Sequence, residues 1–80
     1  MELRDKVVVV TGGASGIGMG LCRRFHEEQV RGLVIVDLNG ETASALATEL
    51  NAISVELDVR DEAAIAAMVA ETESEFGQID

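Results

Sequence analysis

The chain has 80 residues, room for one small hydrophobic core. Apolar residues make up 48%, which excludes disorder by composition, yet many are alanines and only two side chains are aromatic. Fifteen acidic residues against six basic ones give a net charge of −9, which argues against nucleic acid or an anionic membrane surface as a partner, since both require clustered Lys and Arg.

In chain order, Lys6 is followed by Val7-Val8-Val9-Val10, a β-branched run ended by glycines. A run of this kind predicts a strand covered on both faces, as in a parallel sheet, and is far too short for a signal peptide or membrane span. Gly12 to Gly18 form a glycine-rich turn. Apolar residues then recur at Ile17, Leu21, Cys22, Phe25 and Val30, with Arg23, Arg24, Glu27 and Glu28 opposite, which predicts an amphipathic helix. After Gly32, Leu33-Val34-Ile35-Val36 reads as a second buried strand ending at Asp37. Asn39-Gly40 turns the chain into a second helix with an inner stripe of Ala43, Leu46, Ala47 and Leu50. Ile53, Val55 and Leu57 mark a third strand ending at Asp58-Val59. Asp61 is placed to cap a third helix, whose stripe is Ile65, Met68, Val69, Thr72 and Phe76 and whose stop is Gly77. Gln78-Ile79-Asp80 reads as the approach to a fourth strand.

The order βαβαβα, with links this short, predicts an α/β chain of the Rossmann type. Its right-handed crossovers would join a three-stranded parallel sheet of order 3-2-1, stopping before a fourth strand. There is no proline, repeat or linker, so residues 1–80 read as the N-terminal part of a single domain. Cys22, the one cysteine, can build no intramolecular disulfide, which suits a reducing, cytoplasmic setting. It belongs to the buried stripe, and Met19 and Met68 read as core filler. His26 reads as a surface side chain, and the glutamates of the helices as a solvated face. Gly20, inside the first helix, is expected to pack closely against the first strand.

A strand turning tightly into a helix aims free backbone N–H groups and the positive end of the helix dipole at one spot, which suits a pyrophosphate. The turn here is Thr11-Gly12-Gly13-Ala14-Ser15-Gly16-Ile17-Gly18 and carries no Lys or Arg, so backbone donors would hold the anion. The spacing G-x-G-x-x-G fails, because Leu21 stands at its third glycine, and G-x-x-x-x-G-K-[ST] fails for want of the lysine. What fits is T-G-x-x-x-G-x-G at Thr11, Gly12, Gly16 and Gly18. A structural turn without ligand is the plainer alternative. Asp37 lies 19 residues beyond Gly18, at the tip of the second strand, where a carboxylate can accept from both hydroxyls of an adenosine ribose. It would repel a 2′-phosphate by roughly 4 kcal/mol at 4 Å and an effective dielectric near 20. With Ser15 neutral and Leu38 following, NAD is favoured over NADP. An acid capping a strand-end turn is the alternative reading of Asp37, and equally of Asp58.

Over Lys6 to Asp80 the chain resembles the short-chain dehydrogenase/reductase family. The resemblance is carried by the T-G-x-x-x-G-x-G loop, Val36-Asp37-Leu38, Asp58-Val59 and Phe76-Gly77-Gln78-Ile79-Asp80. It implies that Gly12, Ser15, Gly16, Ile17 and Gly18 line the pyrophosphate and the nicotinamide-side ribose. Asp37 and Leu38 would hold the adenine ribose, and the Asp58 side chain with the Val59 backbone would meet the adenine edge. Thr11 would tie the loop to the sheet. The family continues into a fourth strand, a catalytic serine and a Tyr-x-x-x-Lys pair. This chain has no tyrosine, and its sole lysine is Lys6, so the 80 residues are expected to be inactive alone. The full protein would transfer hydride between NAD(H) and an alcohol or carbonyl substrate, as a homo-oligomer. The first strand, left without the fourth, would be an apolar edge, making the isolated segment marginally stable or self-associating. A non-catalytic nucleotide-binding or regulatory Rossmann module is the competing function, and a purely structural fragment the third.

Overall fold

The computed structural model describes residues 5–12, 15–77 and 79; the readings that involve Gly13, Ala14, Gln78 and Asp80 lie outside them. Six elements alternate: β1 (Val7–Thr11), α1 (Gly16–Glu27), β2 (Gly32–Asp37), α2 (Gly40–Leu50), β3 (Ile53–Glu56) and α3 (Glu62–Phe76). The strands form one parallel sheet with β2 in the middle, the predicted order, in register Val7 with Gly32 and Val34 with Ile53. Gly32 through Val36 are all buried, which explains the uninterrupted apolar run: the middle strand is covered on both faces. β3 lies at the side of the sheet and alternates Ile53-Ser54-Val55-Glu56. It stops one residue short of Leu57, whose N–H still donates to the Asp37 carbonyl at 3.2 Å.

Side chains alternate across the sheet. Val10, Leu33 and Ile35 face α1 and α2, where they pack with Cys22, Ala43, Leu46, Ala47 and Leu50. Val34 and Val36 face α3, where Met68 is buried and Val9, Val55, Leu57, Ile65, Val69 and Phe76 are partly so. The two predicted stripes of α2 and α3 are therefore the ones used. Gly32 lets the Phe76 ring close on β2: a Cβ at residue 32 would stand 2.7 Å from the ring. Burial pushes the Cys22 thiol pKa up, leaving it a packing residue.

Two expectations for α1 are corrected. Ile17 and Leu21 do not face the core; they are 84% and 46% exposed. The inward face is Gly18 and Cys22, flanked by partly buried Met19 and Phe25. The predicted stripe mixed two adjacent helical faces, because glycine gives no hydropathy signal and Gly18 was invisible as a core position. Gly20, in turn, is exposed, and a Cβ there would meet nothing within 4 Å, so close packing does not explain it.

Candidate cofactor site

The site lies where the C-terminal ends of β1 and β2 meet the N-terminus of α1. Gly12 follows β1 with φ +69°, a left-handed backbone that favours glycine, and no neighbour lies within 4 Å of where its Cβ would be. Its N–H donates to the Val36 carbonyl at 2.7 Å, so the turn is anchored to β2 and not only to its own strand. Ser15 caps α1. Its Oγ donates to the Gly12 carbonyl at 2.7 Å and accepts from the Gly18 N–H at 3.3 Å, joining the two ends of the turn. One hydroxyl thus closes the loop and satisfies one of the N–H groups that a helix start leaves orphaned. The first turn of α1 has no acid, whereas α2 and α3 each begin with one, Glu41 and Glu62. In a chain of net charge −9 that leaves the α1 N-terminus the place where the helix dipole is least opposed.

Asp37 ends β2. Its Oδ1 accepts from the Asn39 N–H at 2.9 Å, and the Asn39 Oδ1 in turn accepts from the Thr42 N–H at 3.1 Å, capping α2. The turn-capping role weighed for Asp37 is thus present, and it orients the carboxylate at the strand tip. Gly12, Asp37, Leu38, Leu57 and Val59 line one cavity of about 150 Å³. Four of these five were singled out in the sequence. Leu57 was read only as a strand residue, although its alternation with Val55 was the sign that it lies on the α3 side of β3.

The apolar exposure in this region is informative. Among the described residues five large apolar side chains are exposed, and three are Ile17, Leu38 and Val59, selected in the sequence as cofactor-binding. Leu38 and Val59, 63% and 55% exposed, line the same cavity. Covering the exposed remainder of such a side chain is worth about 1–2 kcal/mol, which favours an apolar surface seated there.

Asp58 turns the chain from β3 into α3. Its Oδ1 accepts from the Arg60 N–H at 2.9 Å, and its two oxygens receive the guanidinium through Nε (3.0 and 3.1 Å) and Nη2 (2.7 Å). The Arg60 guanidinium and backbone N–H beside Asp58 hold its carboxyl below the usual carboxylate range. Sequence reading did not single out Arg60; an acid followed two residues later by arginine was the available signal. Beyond Asp58, the Asp61 Oδ1 accepts from the Ala64 N–H at 3.1 Å and caps α3, as predicted.

The sequence profile of the short chain dehydrogenase family matches residues 6–80. Galactitol 2-dehydrogenase of Agrobacterium fabrum is 41% identical over 81 residues, covering 100% of this chain and 32% of that protein. The (+)-cis,trans-nepetalactol synthase of Nepeta racemosa is 38% identical over 81 residues, covering 99% of this chain and 30% of that protein. A crystal structure of 3-ketoacyl-(acyl-carrier-protein) reductase from Brucella melitensis, complexed with NADH, superposes with a TM-score of 0.89 at 36% identity. It covers 98% of this chain and 33% of that one. The chain spans about a third of the length of the curated relatives it matches. By its sequence from Lys6 onward, the chain belongs to the short chain dehydrogenase family.

Proposed function

We propose that these residues form the NAD(H)-binding part of a dehydrogenase that moves hydride between the nicotinamide and an alcohol or carbonyl substrate. The observation that carries the reading is the cavity lined by Gly12, Asp37, Leu38, Leu57 and Val59, beside the acid-free N-terminus of α1. Gly12, Ser15, Gly16, Ile17 and Gly18 would hold the pyrophosphate and the nicotinamide-side ribose, with Gly12 free of any Cβ that would block approach. Asp37 would accept from the ribose hydroxyls of the adenosine half and repel a 2′-phosphate. Leu38 and Val59 would cover the base, with Asp58 at its edge. The Brucella melitensis reductase, whose structure is complexed with NADH, supports a nicotinamide dinucleotide as the ligand.

When bound, the cofactor supplies the hydride; the residues here bind and orient it. Proton transfer in the family uses tyrosine and lysine, and these 80 residues hold no tyrosine and only Lys6. We therefore assign this segment cofactor binding and place proton transfer and substrate recognition in other parts of the whole protein. The whole protein would be a homo-oligomer, and the single cysteine suits a cytoplasmic setting. Among the described residues, no helix is long and apolar enough to cross a membrane.

The test is a titration with NADH and NADPH. The chain has no Trp or Tyr, so the fluorescence of the reduced nicotinamide is read on a dark background. Saturable NADH binding, at least tenfold tighter than NADPH, is expected from the charge at Asp37. Asp37→Asn keeps an acceptor for the Asn39 N–H and removes the charge, so it should narrow that gap by about tenfold. Equal affinity of the unaltered chain for the two cofactors would overturn the NAD preference, and absence of saturable binding by a chain that urea titration shows to be folded would overturn the cofactor reading.

A further inference from the structure

The end of β3 brings a second carboxylate beside Asp37. The parallel register pairs Asp37 with Glu56, and neighbouring strands lie about 4.8 Å apart. Val34, Val36, Val55 and Leu57 face α3. Asp37 and Glu56, one residue out of phase with them, therefore lie on the opposite face, that of α1 and α2. Glu56 reaches the first residue of α2: a Cβ at Gly40 would stand 2.7 Å from the Glu56 Cδ and Oε2 and 2.8 Å from its Cβ. The glutamate stem thus lies along the Gly40 backbone. Its carboxylate rests at the N-terminus of α2, whose first turn also holds Glu41.

We infer that Glu56 is a second specificity-determining residue for the dinucleotide: its carboxylate covers the N-terminus of α2 and keeps a 2′-phosphate from using that helix end. This rests on the cofactor reading above. A 2′-phosphate would sit where Asp37 meets the ribose, and Asp37 opens the turn into α2, its Oδ1 on the Asn39 N–H at 2.9 Å. A helix start leaves N–H groups without intrahelical partners, and these are the anion donors closest to that turn. Glu56 brings to them a charge of the phosphate's own sign. Arg60, the basic residue nearest to it in sequence, is held by Asp58 at 2.7 Å. Two carboxylates in register repel each other, so strand pairing alone does not account for them, whereas exclusion of a third anion does. The plainer role of Glu56 is to complement the dipole of α2, and that role would leave the choice between the two dinucleotides unchanged.

The test compares NADH and NADPH on variants of Glu56, each shown to be folded by urea titration. Glu56→Gln keeps the stem against Gly40 and removes the charge. It should narrow the preference for NADH by about threefold, less than the effect of Asp37→Asn because Glu56 lies one strand further out. Glu56→Lys reverses the charge and should narrow the preference by about tenfold, twice the effect on a logarithmic scale. In both, the narrowing should come from tighter NADPH binding and should shrink at about 1 M salt, where the screening length falls to about 3 Å. A ratio unchanged in both variants, or a shift that high salt does not reduce, would overturn the inference while leaving NADH binding, and with it the cofactor reading, intact. Failure of the folded, unaltered chain to bind either dinucleotide would instead overturn the cofactor reading and this inference with it.

Discussion

The two faces of the sheet are built differently from the same alternating strands. On one, two helices cover β1 and β2, and eight residues from four elements are buried in a continuous cluster. On the other, α3 stands alone; the buried apolar cluster is Val34, Val36 and Met68, and a larger number, including Ile65, Val69 and Phe76, stay partly open to water. The sequence of α2 gives the reason for the first. Ala43 and Ala47 alternate with Leu46 and Leu50 on one side, so small residues let the helix approach and large ones fill what remains. α3 instead carries Ala63, Ala64, Ala66 and Ala67 around its first two turns, and its apolar residues are less confined to one side. Arg23 on α1 and Glu49 on α2 form an ion pair across the doubly covered face, but both are about half exposed, so packing and not charge makes the difference.

The sharpest way to break this comparison is a matched pair of truncations. Leu46→Ala, at a side chain only 4% exposed and enclosed by other buried residues, should cost about 3–5 kcal/mol, because little around it can collapse into the space. Met68→Ala should cost about 2 kcal/mol, since its partly exposed neighbours can relax and water already reaches them. Urea midpoints measure both. Equal costs would mean that the α3 face is as firmly packed as the other.

Gly32→Ala comes next in size. The added methyl would meet the Phe76 ring at 2.7–2.9 Å, so the ring must move, at about 1–3 kcal/mol. Because Phe76 belongs to the looser face, Phe76→Leu in the same chain should recover part of that loss in the urea midpoint. If the double variant is no better than Gly32→Ala alone, the contact is not the cause and the α3 face is stiffer than its exposure suggests.

Legibility followed the same division. β2 was readable because Leu33 to Val36 are buried on both faces, so that hydropathy and structure coincide residue by residue. The α2 stripe and the Asp61 and Gly77 ends of α3 were readable because each is a local signal with a local physical cause. Of the cavity, Gly12, Asp37, Leu38 and Val59 were legible from spacing and resemblance. Arg60 was not, because its part depends on which rotamer an exposed side chain adopts, and composition and periodicity are silent on that. α1 misled for a different reason: it opens on Gly16, Gly18 and Gly20, and hydropathy cannot tell which of three glycines is buried.

Gly20→Ala therefore makes the smallest but most pointed prediction. Gly18 is buried, while Gly20 is exposed within the helix with open space where its Cβ would be. Alanine there keeps a backbone it adopts readily and removes conformational freedom from the unfolded chain, so stability should rise by about 0.4–1 kcal/mol. The gain should appear as a higher urea midpoint with an unchanged slope, because no buried surface is altered. A loss of stability would mean that something does approach that face of α1, as the sequence first suggested. A gain would show that α1, on the better-packed side of the sheet, is limited by its own glycine-rich backbone and not by its contacts.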